Sequence, residues 1–276
     1  PAARSPAEAG RNMPIITSRS NPKIKLVRSL RQRKARQESR LFLAEGIRLV
    51  GEAAEANAPI EFICYCPHYL SSDFALSAVY KVSERGTPCL AVSADVFDSL
   101  ADKENPQGIL AVVRQVEPSL ADCSPQNFPW GVALAAPQDP GNIGTILRTI
   151  DAVGASGLLL LEGGADPYHP SAVRASMGAV FWRPCISACF TDFERWAHQH
   201  KYHIYGTSAH ASLDYRQVER YHKPAVLLLG SEREGLSERQ KETCDMLIRL
   251  PMQGRVSSLN LAVAAGILLY HMAASF

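Results

Sequence analysis

The sequence predicts an α/β protein built from two unequal domains. Between residues 41 and 113, short apolar segments alternate with stretches of helical periodicity, which is typical of a small α/β unit. From residue 130 onward, continuous apolar runs indicate strands that helices cover on both faces, as in a parallel sheet. The stretch between these regions is rich in proline and has little periodicity, which favours a linker. We therefore expect a small domain over residues 13–116, a linker over 117–129 and a larger domain over 130–276.

The small domain is expected to begin with one basic helix. Asn21 can cap free N–H groups and Pro22 suits a first turn, after which apolar residues recur at helical spacing. Extended segments are then expected at residues 41–43, 60–66, 88–92 and 109–113, and helices at 47–56, 72–84 and 93–101. Residues 1–12 lack an initiator Met and are rich in Ala, Pro and Arg, so they are expected to be a loose tail or a non-native remnant.

The net charge of +2 conceals an uneven distribution of basic residues. The first 50 residues contain twelve Lys and Arg against three Glu, so basic charge is concentrated at one end of the chain. Such clustering attracts a polyanion, and RNA is one such partner. A solvated helix face is the alternative interpretation, and the charge run alone does not decide between the two. The candidate RNA-binding residues are Lys23, Lys25, Arg28, Arg31, Arg33, Lys34 and Arg36.

The composition is that of an ordinary soluble protein, with 46% hydrophobic and 20% charged residues. No apolar run approaches the roughly 18 residues that a membrane span needs, so we expect no membrane association and a cytoplasmic location. The seven cysteines are odd in number, and none form the C-x-x-C pair typical of a zinc site. They are expected to be reduced thiols in or near the core, with no metal bound.

Three turn-rich segments in the larger domain are the candidate ligand loops, because ligands of open α/β sheets bind beyond the carboxyl ends of the strands. The first segment, residues 136–144, leads into a helix that is expected to end near residue 154. One apolar stripe on that helix leaves Arg148 on the opposite side, where it can reach a ligand. The alternatives are a solvated arginine for Arg148 and a turn or cap residue for Asn142.

The second segment, residues 229–236, directly follows the most apolar strand of the chain. Gly230 allows close backbone approach to a ligand, and Glu232 places a carboxylate at the strand end. A plain turn and a ligand loop are equally good interpretations. Neither the G-x-G-x-x-G nor the G-x-x-x-x-G-K-[ST] phosphate-binding pattern occurs in the sequence. A nucleotide-dependent metabolic enzyme on an ordinary doubly wound sheet therefore has no fingerprint to support it.

The third segment, residues 250–260, precedes a helix that is expected to run through residue 272. Ser257 or Ser258 would cap this helix, with Asn260 in support. The helix has no charged side chain and is apolar on essentially every face, so we expect it to be buried all round. Such a helix at the end of a chain indicates a subunit interface, and a homodimer through it is the expectation.

Together the three segments resemble the SpoU (TrmH-type) RNA 2′-O-ribose methyltransferases of the SPOUT superfamily. DPGNIG at residues 139–144, with Arg148, is similar to the first family motif, residues 230–236 to the second and residues 250–260 to the third. RASMGA at residues 174–179 is also similar to the family. Residues 14–115 resemble, more loosely, the family's small substrate-binding domain, which is related to a ribosomal-protein type of RNA-binding fold. One departure is Arg233, where the second motif usually has glycine.

The resemblance implies a deep trefoil knot in the C-terminal part of the chain, with S-adenosylmethionine bound among the knotted loops. The implied reaction is methylation of a ribose 2′-hydroxyl in structured RNA, with large-subunit rRNA favoured over tRNA. The implied cofactor-binding residues are Gly230, Leu250, Met252, Ser258 and Leu259. The implied active-site residues are Asn142, Arg148, Glu232, Ser258 and Asn260.

In that reaction Arg148 is not expected to act as a conventional base, because an arginine stays protonated at neutral pH. It is expected to hold the adjacent phosphate and to stabilise negative charge developing on the 2′-oxygen. Glu232 is expected to position Arg148 or the substrate, while Asn142, Ser258 and Asn260 orient ribose and cofactor. A non-catalytic RNA-binding protein is the alternative of another class. It explains residues 14–115 but gives no reason for three ligand-loop segments.

Overall fold

A computed structural model describes residues 14–70, 72–102 and 106–276 of the chain, and these residues form two units. The first unit contains the described residues up to Val116 together with Tyr168–Phe181. The second unit contains Glu117–Pro167 and Trp182–Phe276. The expectation of a loose tail at residues 1–12 falls outside the described residues.

The first unit is built on a four-stranded sheet, whose neighbouring strands are, in order, β1 (Leu41–Glu45), β4 (Ile109–Arg114), β2 (Ile60–Tyr65) and β3 (Cys89–Ala91). Strand β4 runs antiparallel to β1 and β2, and β3 runs parallel to β2. Helices pack on the sheet through buried apolar side chains. The N-terminal elements of this unit are α1 (Pro22–Ser29), α2 (Arg33–Ser39), β1 (Leu41–Glu45), α3 (Ile47–Glu55), β2 (Ile60–Tyr65), α4 (Asp73–Glu84), β3 (Cys89–Ala91), α5 (Ala94–Asp98) and β4 (Ile109–Arg114).

The basic segment forms two helices, so the prediction of one continuous helix was wrong. Asn21 caps α1 as expected, since its side chain accepts a hydrogen bond from the N–H of Lys23. Helix α1 stops at Ser29 because the chain folds back there, and the guanidinium of Arg36 donates to the carbonyl oxygens of Leu30 and Arg31, at 2.8 Å each. These bonds satisfy backbone acceptors that a helix end leaves unpaired.

The second unit is built on a seven-stranded sheet with the order β7-β6-β5-β10-β8-β11-β9. All its described neighbouring strands pair in parallel, which confirms the predicted α/β class with a parallel sheet. The remaining elements in chain order are β5 (Trp130–Ala135), α6 (Pro140–Ala152), β6 (Leu158–Leu161), α7 (Pro170–Ala175), β7 (Cys185–Ala188), α8 (Phe190–Gln199), β8 (His203–Thr207), β9 (Leu213–Asp214), β10 (Ala225–Leu229), α9 (Glu238–Glu242), β11 (Met246–Arg249) and α10 (Leu261–Ser275).

The centre of this sheet sets where a ligand site can form. Every residue of β5 and β10 is buried, as the continuous apolar runs predicted. The two strands are neighbours in the sheet, with Leu134 opposite Leu229 at their carboxyl ends. The loop after β5 and the loop after β10 therefore leave the sheet side by side.

A short piece of the larger domain's sequence packs on the first unit. The ring of Tyr168 lies 4.7 Å from that of Phe42, and its hydroxyl donates to the carbonyl oxygen of Val116 at 2.7 Å. Arg174, on α7, forms an ion pair with Asp102. Residues 174–179, which resemble the family, thus belong to the first unit, although their position in the sequence suggests the second.

The segment expected to be an interdomain linker is packed against the second unit. It contains a 3₁₀ turn at Leu120–Asp122 and contributes the buried side chains of Cys123 and Phe128 to the core. Its carbonyl oxygens also accept buried hydrogen bonds from Trp196 Nε1, at 2.9 Å, and from the Tyr202 hydroxyl, at 2.6 Å. Prolines and polar residues at residues 117–129 therefore reflect an irregular but packed segment.

Helix α10 is not buried all round within the single chain, and the expectation that a subunit interface completes its burial stays a prediction. Val263, Ile267 and Tyr270 are 51%, 38% and 60% exposed, while Leu268 and Met272 are buried. The exposed residues recur at spacings of four and three, which places them in one stripe along the helix. The stripe is therefore an exposed apolar surface of the single chain.

The cysteine expectation holds in part. All seven cysteines are free, and Cys64, Cys66, Cys89 and Cys123 are buried. Burial raises the pKa of the Cys64 thiol to about 12, so this thiol is held protonated and unreactive. Cys189 is exposed, in contrast to the expectation of a position in or near the core. No helix in the part of the chain that the structure describes is long and apolar enough to cross a membrane.

Candidate active site

Glu232 is the centre of a hydrogen-bond network at the carboxyl ends of β5 and β10. One oxygen, Oε2, accepts from the backbone N–H of Gln138 at 3.0 Å. The other, Oε1, accepts from Asn142 Nδ2 at 3.1 Å and more weakly from the N–H of Asp139 at 3.4 Å. The carboxylate thus ties the loop after β10 to the loop after β5 and to the first turn of α6.

Two opposing effects act on the pKa of Glu232. Burial by itself raises the pKa, because it penalises the charged form. Hydrogen bonds from the Asn142 side chain and from backbone N–H groups, including those of Gln138 and Asp139, favour the carboxylate and outweigh burial. The pKa of Glu232 therefore lies below its ordinary value, and the residue is a structural anion at neutral pH.

The network continues from Asn142 to Asn260. Asn260 Nδ2 donates to Asn142 Oδ1 at 2.9 Å, and Asn260 Oδ1 accepts from the N–H groups of Ala262 and Val263 at the start of α10. Asn260 is therefore the N-cap of this helix, and the expectation that Ser257 or Ser258 caps it was wrong. The amide oxygen of Asn260 satisfies two backbone N–H groups of the helix, and its amide NH₂ remains able to donate to Asn142.

The resulting chain of contacts, Asn260 to Asn142 to Glu232, joins all three segments singled out in the sequence. Asn142 and Glu232 are 90 positions apart, and Asn142 and Asn260 are 118 apart. Asn142 is buried, and each amide and carboxylate oxygen in the chain has a defined donor. The arrangement fixes the three loops against one another before any ligand binds.

Local backbone features bring the donors to Glu232. Ala136 has a positive φ of 48°, a sparsely populated conformation for a non-glycine residue, which turns the chain sharply after β5. Asp139 then caps α6 by accepting from the N–H of Gly141 at 2.8 Å, and Pro140 occupies the first turn. The sequence analysis did not predict that the backbone N–H groups of Gln138 and Asp139 bind Glu232. The only signal for them in the sequence is their position directly after an apolar strand.

The loop after β10 closes on itself. Ser231 and Gly235 exchange two backbone hydrogen bonds, at 3.2 and 3.0 Å. Gly235 has φ of 69°, and a side chain at Gly230 would collide with the backbone of Gly235, so both glycines are required by the turn. Arg233 lies at the tip and is not among the described residues with positive φ, so this position does not need glycine.

Arg148 lies on α6 but outside the network. Its side chain is exposed, as the apolar stripe predicted, and has no hydrogen bond or ion pair with a described residue. It is six positions from Asn142, which places the two side chains about 120° apart around the helix. Glu232 therefore positions Asn142 in the single chain and does not hold Arg148.

The segment between β11 and Asn260 has free hydrogen-bonding groups. Residues 253–259 are exposed, and none of the hydrogen bonds between described residues involves residues 252–259. Ser258, one of the predicted site residues, is exposed here, and the hydrogen bonds of the Asn142 side chain go to Glu232 and Asn260 among the described residues. The unpaired backbone N–H and C=O groups beside the network are available to a bound molecule.

The candidate RNA-binding residues of the first unit fall into two groups. Arg36 is 1% exposed and fully engaged with carbonyl oxygens, so its prediction as an RNA contact was wrong. Arg28 donates to the carbonyl oxygen of Arg19, and Arg31 pairs with Asp102 at 3.3 Å. The exposed members are Lys23, which lies over the ring of Phe62, Lys25, Arg33 and Lys34, which is near Glu38.

The fold and the hydrogen-bond network define an α/β domain whose candidate ligand loops lie at the carboxyl edge of a parallel sheet. A small α/β domain precedes it in the sequence. The chain belongs to the SpoU rRNA methylase family, whose model matches residues 129–270. The model of an MRM3-like substrate-binding domain matches residues 21–111. The resemblance found in the sequence is thereby confirmed.

Characterised relatives match nearly the whole chain. The 23S rRNA (guanosine(2553)-2′-O)-methyltransferase RlmP of Bacillus subtilis is 31% identical over 94% of this chain and 99% of its own. The 23S rRNA (uridine(2479)-2′-O)-methyltransferase of Streptomyces viridochromogenes is 31% identical over 97% of this chain and 94% of its own. An AdoMet-bound rRNA methyltransferase from Sinorhizobium meliloti has a similar structure, with a TM-score of 0.85 and 38% identity over 94% of this chain and 97% of its own.

The residues present fit S-adenosylmethionine (AdoMet). Its adenine and amino-acid groups need hydrogen-bond partners, and residues 252–259 offer unpaired backbone donors and acceptors. The closed turn at Gly230 and Gly235 holds the neighbouring loop in one shape, and the Asn260 cap fixes the end of the segment. The segment supplies the hydrogen-bonding groups, and the network and the closed turn supply the fixed loop shape, that this cofactor requires.

Proposed function

We propose that the protein transfers a methyl group from S-adenosylmethionine to a ribose 2′-hydroxyl of large-subunit rRNA. The observation that carries the proposal is the Asn142–Glu232–Asn260 network, which locks three distant loops into one site at the carboxyl edge of the parallel sheet. Support for the substrate comes from relatives that are named 23S rRNA 2′-O-methyltransferases and that match the chain over nearly its full length. A tRNA substrate is the runner-up, and a cytoplasmic location stays a prediction.

The proposed cofactor residues lie on the two loops beside the network. Gly230 is at the end of β10, and Leu250, Met252, Ser258 and Leu259 lie between β11 and α10. The cofactor supplies an electrophilic methyl group, and the chain supplies the shape that holds it. The trefoil knot implied by the family remains part of this proposal, supported by the family match over residues 129–270.

Positioning is the main work of the polar residues in the proposed reaction. Glu232 fixes the amide of Asn142, and Asn260 fixes it from the other side, so the Asn142 side chain has a single orientation. Arg148 has a free, exposed guanidinium whose planar donors suit a phosphate and a developing oxyanion. We assign to Arg148 the stabilisation of charge on the 2′-oxygen as its proton leaves.

A homodimer through α10 is part of the proposal. Val263, Ile267 and Tyr270 form an exposed apolar stripe on this helix, and α10 packs against α6, which carries Arg148. A dimer formed through the stripe would bring the exposed Arg148 close to the subunit interface. An active site completed by the second subunit follows from this placement, because Arg148 is turned away from Asn142 within one chain.

The dimer is tested by replacing Ile267 and Tyr270 with Glu. A buried carboxylate at a subunit interface is strongly unfavourable, so the double variant should sediment as a monomer and lose methyl transfer. Phe74→Glu, at another exposed apolar residue, is the matched control and should leave the association state unchanged. A wild-type protein that is monomeric at micromolar concentration would contradict the proposal.

The reaction itself is tested in two steps. Calorimetry of the full chain with S-adenosylmethionine should show one site, and incubation with unmodified 23S rRNA should yield a single new 2′-O-methyl group by nuclease-resistance mapping. If the protein binds the cofactor but methylates only tRNA, the substrate is tRNA, the second candidate. RNA binding without any cofactor binding would favour a non-catalytic RNA-binding protein and overturn the enzyme proposal.

A further inference from the structure

Two arginines occupy the loops that flank the network without being part of it. Arg233 is at the tip of the closed turn between Ser231 and Gly235. Arg255 is in the exposed segment between β11 and Asn260. Both side chains are exposed.

The topology places both arginines at the same edge of the sheet. Strands β10 and β11 are parallel and separated by β8 alone, so their carboxyl ends are about 10 Å apart. The segment after β11 must cross from its strand towards β5, because it ends at Asn260, which bonds Asn142 on α6. Asn142 in turn bonds Glu232, the neighbour of Arg233 in sequence. The crossing segment therefore passes the end of β10, where Arg233 is located.

Neither guanidinium has a partner in the part of the chain that the structure describes. No hydrogen bond or ion pair between described residues involves Arg233 or Arg255. Two nearby carboxylates are already engaged, because Glu232 accepts three hydrogen bonds and Asp139 caps α6. The side chain of the neighbouring Glu234 forms no ion pair with either arginine among the described residues. Four other arginines of the second unit are ion-paired: Arg183 with Asp151, Arg195 with Asp192, Arg216 with Asp214 and Arg239 with Glu194. Arg148, Arg220 and Arg249 form no ion pair with a described residue, so the location of Arg233 and Arg255 beside the network is what sets these two apart.

Loop conformation does not explain the arginine at position 233. The left-handed residue of the turn is Gly235, and Arg233 has no positive φ. Its side chain therefore introduces no backbone strain, and it also satisfies no backbone acceptor. What the residue adds to the loop is an unpaired planar cation facing solvent.

We propose that Arg233 and Arg255 bind the phosphodiester backbone of the substrate RNA beside the nucleotide to be methylated. This inference rests on the proposed function and specifies which residues of the same site bind the substrate. The guanidinium group offers paired N–H donors that match two phosphate oxygens, and an exposed, unpaired one can give them without breaking an existing ion pair. Phosphate contacts set affinity and register, so the two arginines act on RNA binding and leave the chemical step to the network and Arg148.

The test uses the full chain with Arg233→Gly, Arg255→Ala and the double variant. Binding of unmodified 23S rRNA is measured over a series of salt concentrations, together with KM and kcat for methylation. Each single variant should lower the slope of log K against log salt by about 0.7–0.9, as expected for one lost phosphate contact. KM for RNA should rise roughly three- to tenfold per arginine, while kcat stays within about twofold. The affinity for S-adenosylmethionine should also stay within about twofold, because Arg255→Ala removes only a side chain and keeps the backbone groups proposed for the cofactor.

Two further variants separate charge from other roles. Arg233→Lys should keep the salt slope and recover part of the affinity, because it retains the charge but not the planar fork. Arg195→Ala, which removes an exposed but ion-paired arginine of α8, should change neither slope nor KM.

Three outcomes would overturn the inference. Unchanged slope and KM in the double variant, with active wild type, would remove both arginines from the RNA contact. A fall in kcat at unchanged KM would assign them to the chemical step, and lost S-adenosylmethionine affinity would assign them to the cofactor loops. Failure of the proposed function looks different, because the wild-type protein itself would then neither bind the cofactor nor methylate rRNA.

Discussion

The basic helices of the first unit and the loops at the carboxyl edge of the second use their arginines in opposite ways. Arg28, Arg31 and Arg36 come from the densest basic run of the sequence, yet each binds a backbone carbonyl within its own unit. Arg148 and Arg233 come from a region of ordinary charge and have no partner among the described residues. A count of basic residues therefore shows where positive charge is concentrated in the sequence. Which of these side chains can still bind RNA depends on whether they already have hydrogen-bond partners within the protein.

The largest effect is expected at the free arginine assigned to the reaction. Arg148→Ala should lower kcat by about 10³-fold or more, because an electrostatic contact to a developing oxyanion is lost. Affinity for S-adenosylmethionine, measured by calorimetry, should change by less than about twofold, since the Arg148 side chain makes no hydrogen bond to the proposed cofactor loops among the described residues. A fully active Arg148→Ala enzyme would show that the unpaired arginine is not needed for catalysis, and the contrast between free and engaged arginines would then have no functional meaning at this residue.

The second effect concerns the carboxylate that keeps the network closed. Glu232 has a pKa below its ordinary value, so its contribution to stability is present at neutral pH and is lost as pH falls through the lowered pKa. Cofactor affinity should therefore stay constant from pH 8 to about pH 5. It should fall only in stronger acid, below the ordinary glutamate pKa of about 4.3.

Glu232→Gln supplies the check on this assignment. It keeps the shape but places an NH₂ group against a backbone donor, so cofactor affinity should fall about ten- to hundredfold at neutral pH. An unchanged affinity in Glu232→Gln would mean that the three loops are held together by other contacts, and that the carboxylate is not what fixes Asn142.

Much of this site could be predicted because its signals are local. The apolar stripe of α6 correctly placed Arg148 on the exposed side, and the apolar runs at residues 132–136 and 225–229 located β5 to within two residues and β10 at its observed bounds. Buried strands and amphipathic helices are encoded in neighbouring residues, so periodicity detects them. The family motifs added which loops belong together, which no local pattern could supply.

The features that were missed all depend on contacts between distant or bulky groups. The break between α1 and α2 follows from a buried guanidinium that satisfies carbonyl oxygens, whereas charge patterns assign arginine to the surface. The cap of α10 is Asn260 instead of a serine because Asn142 holds its amide from another segment. Assignment of Tyr168–Phe181 to the first unit likewise rests on packing against Phe42, far away in sequence.

The third effect is on stability and concerns an engaged arginine. Arg36→Ala should lower the free energy of unfolding by about 1–3 kcal/mol, because it leaves the carbonyl oxygens of Leu30 and Arg31 without buried donors. Urea unfolding followed by circular dichroism measures it, with Arg33→Ala, an exposed neighbour, as the control that should change stability by less than about 0.5 kcal/mol. Equal stabilities of the two variants would remove the distinction between engaged and free residues within the basic run.

The smallest effect is expected from the basic residues of the first unit that remain exposed. Replacing Lys25, Arg33 and Lys34 with Ala together should weaken rRNA binding and lower its salt slope, by up to about 0.7–0.9 for each residue that contacts a phosphate. The loss should be smaller at Lys34, because Glu38 lies 3.8 Å from its amine and competes with phosphate for it. Filter binding over a salt series measures the slope, and kcat at saturating RNA should stay unchanged. If the triple variant binds rRNA with the wild-type slope, recognition has moved away from the basic helices altogether, and the unpaired arginines at the carboxyl edge of the second unit become the main electrostatic contact.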